Sequence, residues 1–241
     1  MLHRRVFDWN YRERVNSLTG IPLLLRLIVP EDKEKLIQGF EALSSRSRYA
    51  RFFAPKNGLT ENELKFYTET DGTNHFAMGA VQIEPDGVET RGVAIARFVR
   101  STKDPTLADV AITVIDEMQG QGIGRILLER IIAAARERGV KRFRFQLLGR
   151  NEKAKNLVLD ICPTMTFTHK GEIMSAETAL DDTGKDLLEG LFDVLRLIAS
   201  RAILTPLQAG LHGAEMAIEA IAHGGEALAK RVSHGHDTSE D

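Results

Sequence analysis

A single cysteine, Cys162, stands in 241 residues. No disulfide can therefore close within the chain, which fits a reducing compartment. With Pro163 beside it and no partner motif, the thiol reads as a small packed residue rather than a nucleophile. No apolar run approaches the roughly eighteen residues needed to cross a bilayer, so no membrane partner is expected. The opening Met1-Leu2-His3-Arg4-Arg5 carries charge with no apolar stretch behind it, so a secretory signal is not expected either. Neither sign of charge dominates. A formal net charge of −2 gives no support for nucleic-acid binding. The expectation from these absences is a cytoplasmic protein, and the 43% hydrophobic content is enough for one full core plus an appendage.

What the chain does have is glycine in one telling place. Val114-Ile115-Asp116-Glu117-Met118-Gln119-Gly120-Gln121-Gly122-Ile123-Gly124-Arg125 follows a strand-like run and enters a helix-like one. Glycines at alternate positions leave backbone N–H groups unshielded, and a loop of this kind opening a helix is a ready anion site. A dinucleotide-binding fingerprint is excluded, because the third glycine position counted from Gly122 is Leu127. A Walker loop is excluded too, since no Lys followed by a hydroxyl stands in either frame. Upstream, Val110, Ile112 and Val114 alternate along a strand over Ala108 to Ile115. Downstream, Ile123, Leu127, Leu128, Ile131, Ile132 and Ala135 recur at helical spacing, with Arg136, Arg138 and Gly139 at the stop. A second strand follows at Phe143 to Leu148. Strand, loop, helix and strand predict a right-handed βαβ unit.

The Gln-x-x-Gly-x-Gly pattern of Gln119, Gly122 and Gly124 resembles the acetyl-CoA pyrophosphate loop of the GNAT family of N-acetyltransferases. The resemblance runs over most of residues 21 to 168. It takes in a first strand at Ile21 to Val29, a helix after Pro30-Glu31-Asp32, and the segment from Leu43 to Phe53. That segment, with Ala96-Arg97-Phe98-Val99-Arg100 and Ala108-Asp109-Val110-Ala111, is similar to bacterial protein-lysine acetyltransferases. Thr60-Glu61-Asn62-Glu63 forms a capping box, and strands are expected at His75 to Ile83 and Val93 to Val99. The resemblance implies an α/β fold with a mixed, mostly antiparallel sheet flanked by helices, followed by a C-terminal helical extension. Residues 1–20 are read as an N-terminal segment and 21–182 as the acetyltransferase domain.

The resemblance also implies the chemistry: an acetyl group passes from acetyl-CoA, a co-substrate, to a primary amine in a ternary complex. Ile112, Thr113 and Val114 would run along the pantetheine arm. Gln119, Gly120, Gln121, Gly122, Ile123, Gly124 and Arg125 would hold the pyrophosphate. Asn151 would touch the cofactor, cap the next helix, or both. Asp109 stands where related enzymes carry a glutamate and is the candidate base, one methylene shorter. Other members use an acid and a tyrosine at positions corresponding to Gln146 and Val158, and neither can serve. Arg48, Arg51, Arg97 and Arg100 could line an acceptor entrance or contact phosphates, against a reading as solvated or ion-paired residues. His75 is a second possible base, against a reading as a satisfied core histidine on a strand. The acceptor is a protein lysine by subfamily likeness, with a small amine as the rival. A non-catalytic acyl-CoA sensor acting through its C-terminal helices is the alternative of a different class.

From about Thr183 the character changes. Leu187, Leu188, Leu191, Leu195 and Ile198 form an apolar stripe, and an alanine-rich segment follows Pro206. Residues 183–232 are expected to form helices that dock on the domain or support a homo-oligomer, and 233–241 a disordered tail. His234 and His236 lack carboxylate or thiol partners at ligand spacing, so no metal is expected.

Overall fold

The strand at the centre of this protein, Leu107–Val114, is flanked by one antiparallel and one parallel neighbour, and that mixture organises everything around it. The computed structural model describes residues 6–162 and 165–180. The expected helical extension over 183–232 and the tail lie outside the described residues. Eight strands form one sheet: β1 (Arg12–Asn16), β2 (Pro22–Leu27), β3 (His75–Ile83), β4 (Glu89–Arg100), β5 (Leu107–Val114), β6 (Arg142–Leu148), β7 (Met165–Lys170) and β8 (Ile173–Ala179). Their order is β1-β2-β3-β4-β5-β6-β8-β7. Every neighbouring pair is antiparallel except β5–β6. The parallel pair is joined by α4 (Ile123–Glu137), so the βαβ unit stands as expected.

Period-two alternation gives the sheet two different faces. Phe76, Met78, Phe98, Ala108, Val110 and Phe143 point to one side, where α4 buries Ile123, Leu127, Leu128, Ile131, Ile132 and Ala135 against them. Phe76 and Phe98 stack with centroids 5.5 Å apart, and Phe143 lies 6.1 Å beyond Phe98. The other side of the sheet faces α1 (Lys33–Glu41), α2 (Ser45–Phe52) and α3 (Glu61–Thr68). The capping box at Thr60 is present: its hydroxyl accepts from the Glu63 N–H, and the Glu63 carboxylate accepts from the Thr60 N–H. α5 (Glu152–Ile161) follows β6 and packs beside α4.

The strand read first from the sequence is the second in the sheet. β1 precedes it, with Arg12 to Asn16 paired to Arg26 to Pro22. The Pro30–Asp32 turn is a short 3-10 segment ahead of α1. It is held by a buried ion cluster, in which Arg26 donates two 2.7 Å bonds to Asp32 and bonds of 2.8 and 2.7 Å to Glu89. Asp32 oxygens also accept from the Val29 N–H. These bonds hold the carboxyl of Asp32 below its usual range despite its burial.

Candidate active site

Beyond Val110 the two central strands part. β5 and β6 are in register from Leu107↔Arg142 to Val110↔Phe145 and no further, although β5 runs to Val114 and β6 to Leu148. On its other edge β5 stays paired with β4 as far as Ala94↔Val114. Ile112, Thr113 and Val114 therefore present one backbone edge to a wedge-shaped opening instead of to a neighbouring strand. The Val114 carbonyl accepts from a side chain, and the other backbone groups on this edge need partners that an extended ligand can supply as a strand would.

The glycine loop lies at the wide end of that wedge. Gly122 caps α4 with φ +80°, a left-handed geometry that only glycine adopts without strain. A Cβ at this position would also sit 3.2 Å from Leu18 Cγ. The first intrahelical bond runs from the Ile126 N–H to the Gly122 carbonyl at 3.1 Å. The amides ahead of Ile126 are left for an external acceptor. Gly124 faces inward, where a Cβ would meet Leu157 Cδ2 at 3.3 Å and Val114 Cγ2 at 3.7 Å. The loop thus nests between the end of β5 and the flank of α5.

The two glutamines shape this loop with their side chains. Gln119 Nε2 donates to Ser47 Oγ (3.3 Å) and to the Val114 carbonyl (3.2 Å). Gln121 Nε2 donates to the Glu117 carbonyl (3.0 Å), and its Oε1 accepts from Thr19 Oγ1 (2.6 Å). Arg125 turns along the helix surface, 3.3 Å from Glu129 and 3.8 Å from Asp160. Asn151 caps α5, accepting from the Ala154 N–H at 3.2 Å, so its side chain has the local role expected of a cap.

Asp116 escaped the sequence reading, and it explains the serine-rich segment. Its carboxylate accepts from the Ser44 N–H (2.9 Å), Ser44 Oγ (2.7 Å) and Ser47 Oγ (2.9 Å). Ser44 in turn caps α2. Together with Gln119 these bonds tie α2 to the root of the loop. An Asp at the strand-to-loop junction, paired with serines spaced by three on a helix start, is the signal that was there to be found.

Asp109 lies on the sheet face that carries Ala111 and Thr113, opposite Val99 on β4 and Arg144 on β6. Both of its oxygens accept from Arg144, at 2.6 and 2.8 Å, a fork-on-carboxylate pair that raises the affinity of the arginine for its proton. Its side chain is nearly half exposed. Of the four arginines named from sequence, Arg48 caps the carbonyls of Leu43 and Glu41, and Arg100 donates to the carbonyls of Pro105 and Arg138. Arg51 and Arg97 instead line a cavity between the sheet and α1–α3. His75 Nε2 accepts from Arg97 at 3.1 Å, since a guanidinium can only donate. Burial and the Arg97 charge push the imidazole down to about 4, so it is neutral near physiological pH. Gln146 is exposed, Val158 is packed in the core, and burial pushes the Cys162 thiol up. Among the described residues no His, Cys, Asp and Glu cluster is arranged to hold a metal, and no helix is long and apolar enough to cross a membrane.

A parted parallel pair, with a glycine loop opening the helix between its strands, lies within the stretch that comparison with known proteins matches. Residues 36–159 match the model of the acetyltransferase (GNAT) family. The chain belongs to that family. It is 34% identical over 144 residues to acetyltransferase Pat of Mycolicibacterium smegmatis, covering 60% of this chain and 42% of that protein. The chain thus spans less than half the length of this curated relative. The GNAT domain of S. lividans PAT superposes with a TM-score of 0.63 at 28% identity, over 72% of this chain and 99% of that one. The yncA protein of Salmonella typhimurium, solved with acetyl-CoA, shares the fold at 18% identity and a TM-score of 0.53, over 66% of this chain and 95% of that one. Within the GNAT fold, the wedge, the loop and Asp109 fall on the same strand–loop–helix unit.

Proposed function

We propose that this GNAT protein transfers an acetyl group from acetyl-CoA to a primary amine by direct attack in a ternary complex. One observation carries the reading. The unpaired edge of β5 at Ile112 to Val114 leads straight to the open amides of Gly122 to Arg125. A pantetheine amide chain suits the edge, and a pyrophosphate suits the helix start. The thioester would then lie where β5 and β6 separate, beside Val110 and Ala111. The Salmonella protein of the same fold holds acetyl-CoA, and that supports the choice of ligand. The lone, buried Cys162 is in keeping with a cytoplasmic enzyme.

The amine arrives as an ammonium ion and must lose a proton before it attacks. Asp109 is the carboxylate on the acceptor side of the parted strands, and its exposure allows it to act through water. Because Arg144 engages both oxygens, one must be released as the proton is taken. Nitrogen then bonds to the thioester carbon, the C–S bond breaks, and the thiolate leaves to be protonated by solvent. With Val158 in the core there is no tyrosine on α5 to protonate it.

The test is thiol release from acetyl-CoA with a panel of primary amines, run on the wild type and on Asp109→Asn. Turnover on at least one amine is expected, with about a hundredfold loss in the variant and little change in acetyl-CoA affinity. The loss should narrow as pH rises, because more of the amine is then already neutral. Tight acetyl-CoA binding with no thiol released on any amine would overturn the enzyme reading in favour of an acyl-CoA sensor. Wild-type turnover in Asp109→Asn would remove Asp109 from the mechanism.

A further inference from the structure

The cavity on the acceptor side of the sheet is roofed by α1, α2 and α3 and encloses about 820 Å³, counting its open mouth. Its floor includes Ala111 and Thr113 of β5, so it reaches the strand assigned to the cofactor. The wall is mostly apolar, with Ile28, Leu36, Phe40, Phe52 and Ile95 prominent. Two guanidinium groups interrupt it.

Arg97 is 4% exposed, yet among the described residues no carboxylate pairs with it. Its hydrogen bonds go to neutral groups, His75 Nε2 at 3.1 Å and the Tyr67 carbonyl at 3.3 Å, and it lies 4.4 Å from the centre of the Tyr67 ring. Arg51 has its guanidinium 5.2 Å from the Phe52 ring centre and forms no hydrogen bond or ion pair among the described residues. The other charges that reach this cavity are balanced: Asp32 is held by Arg26, and Lys35 lies 3.8 Å from Asp32 and 3.5 Å from Glu89. Burial and the neighbouring charge of Arg51 push Arg97 down to about 9, which still leaves it cationic at neutral pH. An unpaired buried cation such as Arg97 is costly, and the part-buried Arg51 facing the same cavity adds to the cost, unless an anion completes the site. A carboxylate matches guanidinium geometry and suits an otherwise apolar chamber.

We propose that Arg51 and Arg97 receive the carboxylate of the acceptor, so that the acetylated amine is a small amino acid-like molecule with an apolar body. A lysine within a protein chain is flanked by neutral amides and would leave both arginines unneutralised. The inference rests on the acetyl-transfer reading above. The balanced reaction joins the acceptor nitrogen to the acetyl carbon, breaks the C–S bond, and releases coenzyme A thiol and one proton from the ammonium.

The deciding experiment compares molecules that differ only in the carboxylate. L-Leucine and L-phenylalanine are set against leucinamide, phenylalaninamide and a lysine peptide blocked at both ends, with thiol release as the readout. N-Acetyl-leucine and its amide are titrated by calorimetry in parallel, which requires no turnover. The acids should be used at least tenfold better than the amides or the peptide, and only N-acetyl-leucine should bind. Arg51→Gln and Arg97→Gln should raise KM for the acids about tenfold to a hundredfold, raise it far less for the amides, so that the preference for acids collapses, and keep acetyl-CoA affinity. Arg→Lys at either position should restore part of the loss. Equal use of acids and amides, or preference for the blocked peptide, would overturn the carboxylate site while leaving acetyl transfer intact. Binding of N-acetyl-leucine without thiol release on any amine would leave the carboxylate site standing and sink acetyl transfer.

Discussion

His75 sits at the start of β3 between Arg97 and the ring of Phe66, whose centroid is 4.6 Å from its own. Its folded pKa of about 4 lies below the ordinary 6.5 because the charged form is desolvated and faces a guanidinium. The unfolded chain therefore takes up a proton at this residue near 6.5, and the folded protein does not until about 4. Stability from the neutral imidazole is complete above 6.5 and drains away as pH falls through that window. His75→Gln keeps an acceptor for Arg97 and removes the titration. Its urea midpoint should fall less steeply between pH 6.5 and 4 than that of the wild type, and parallel curves would show that His75 is not the group responsible. At this scale the sequence exposes residue types and hides their pairings. Asp109 is legible as an acid in a strand, but its bond to Arg144 depends on the parallel register of β5 and β6, which no local pattern encodes. Arg97 carries a better clue, a charge placed between Ala96 and Phe98 on a central strand, where a solvated residue is out of place.

Elements with a strong apolar period were legible, and those at the edges of the sheet were not. α4 buries every residue of its expected stripe. β5 and β6 lie within a residue or so of the predicted strands. β1 reads Arg-Glu-Arg-Val-Asn and β7 reads Met-Thr-Phe-Thr-His-Lys, sequences without a buried residue because each covers an edge. Edge strands are kept charged and polar to prevent further pairing, and this erases the pattern by which a strand is recognised. The glycine loop allows a sharper test than its composition did. Gly122→Ala should cost about 1–2 kcal/mol of stability, since the φ of +80° is strained for any L side chain. Gly124 has no such φ, and its nearest neighbour is the tip of Leu157. Gly124→Glu should therefore push the loop off the flank of α5, displacing the amides of the anion site and abolishing acetyl-CoA binding at some cost in stability. Calorimetry showing unchanged acetyl-CoA affinity in a folded Gly124→Glu protein would refute the pyrophosphate assignment.

The molecule as a whole is tied together at a point remote from the cleft. Arg138, at the C-terminal end of α4, is 8% exposed and donates to the carbonyls of Gly72 (2.7 Å), Ala134 (2.9 Å) and Phe7 (2.6 Å). Its guanidinium also lies 4.4 Å from the centre of the Phe76 ring. The Glu137 carboxylate accepts from the N–H groups of Val6 and Phe7 at 3.1 and 3.2 Å. Two adjacent residues thus fasten the N-terminal segment and the loop before β3 to the helix that starts at the glycine loop. The sequence presented Arg138 only as a favourable charge at a helix end. Arg138→Met should lower stability by about 2–4 kcal/mol, because three carbonyls lose a charged donor together. A denaturation midpoint within error of the wild type would show that this anchor is dispensable.

The sheet, finally, is two blocks. β1 to β5 form one ladder and β6 to β8 another, and across the seam the strands share only the four register pairs from Leu107↔Arg142 to Val110↔Phe145. Such a seam is where sub-global opening begins, with the smaller block loosening before the larger. A ligand lying along β5 in the gap would act as a removable ninth strand, stitching the blocks together. Amide exchange should then slow on β6 when acetyl-CoA is added, and on β8 and β7 beyond the ligand's own contacts, so that occupancy of the cleft sets the mechanical continuity of the fold.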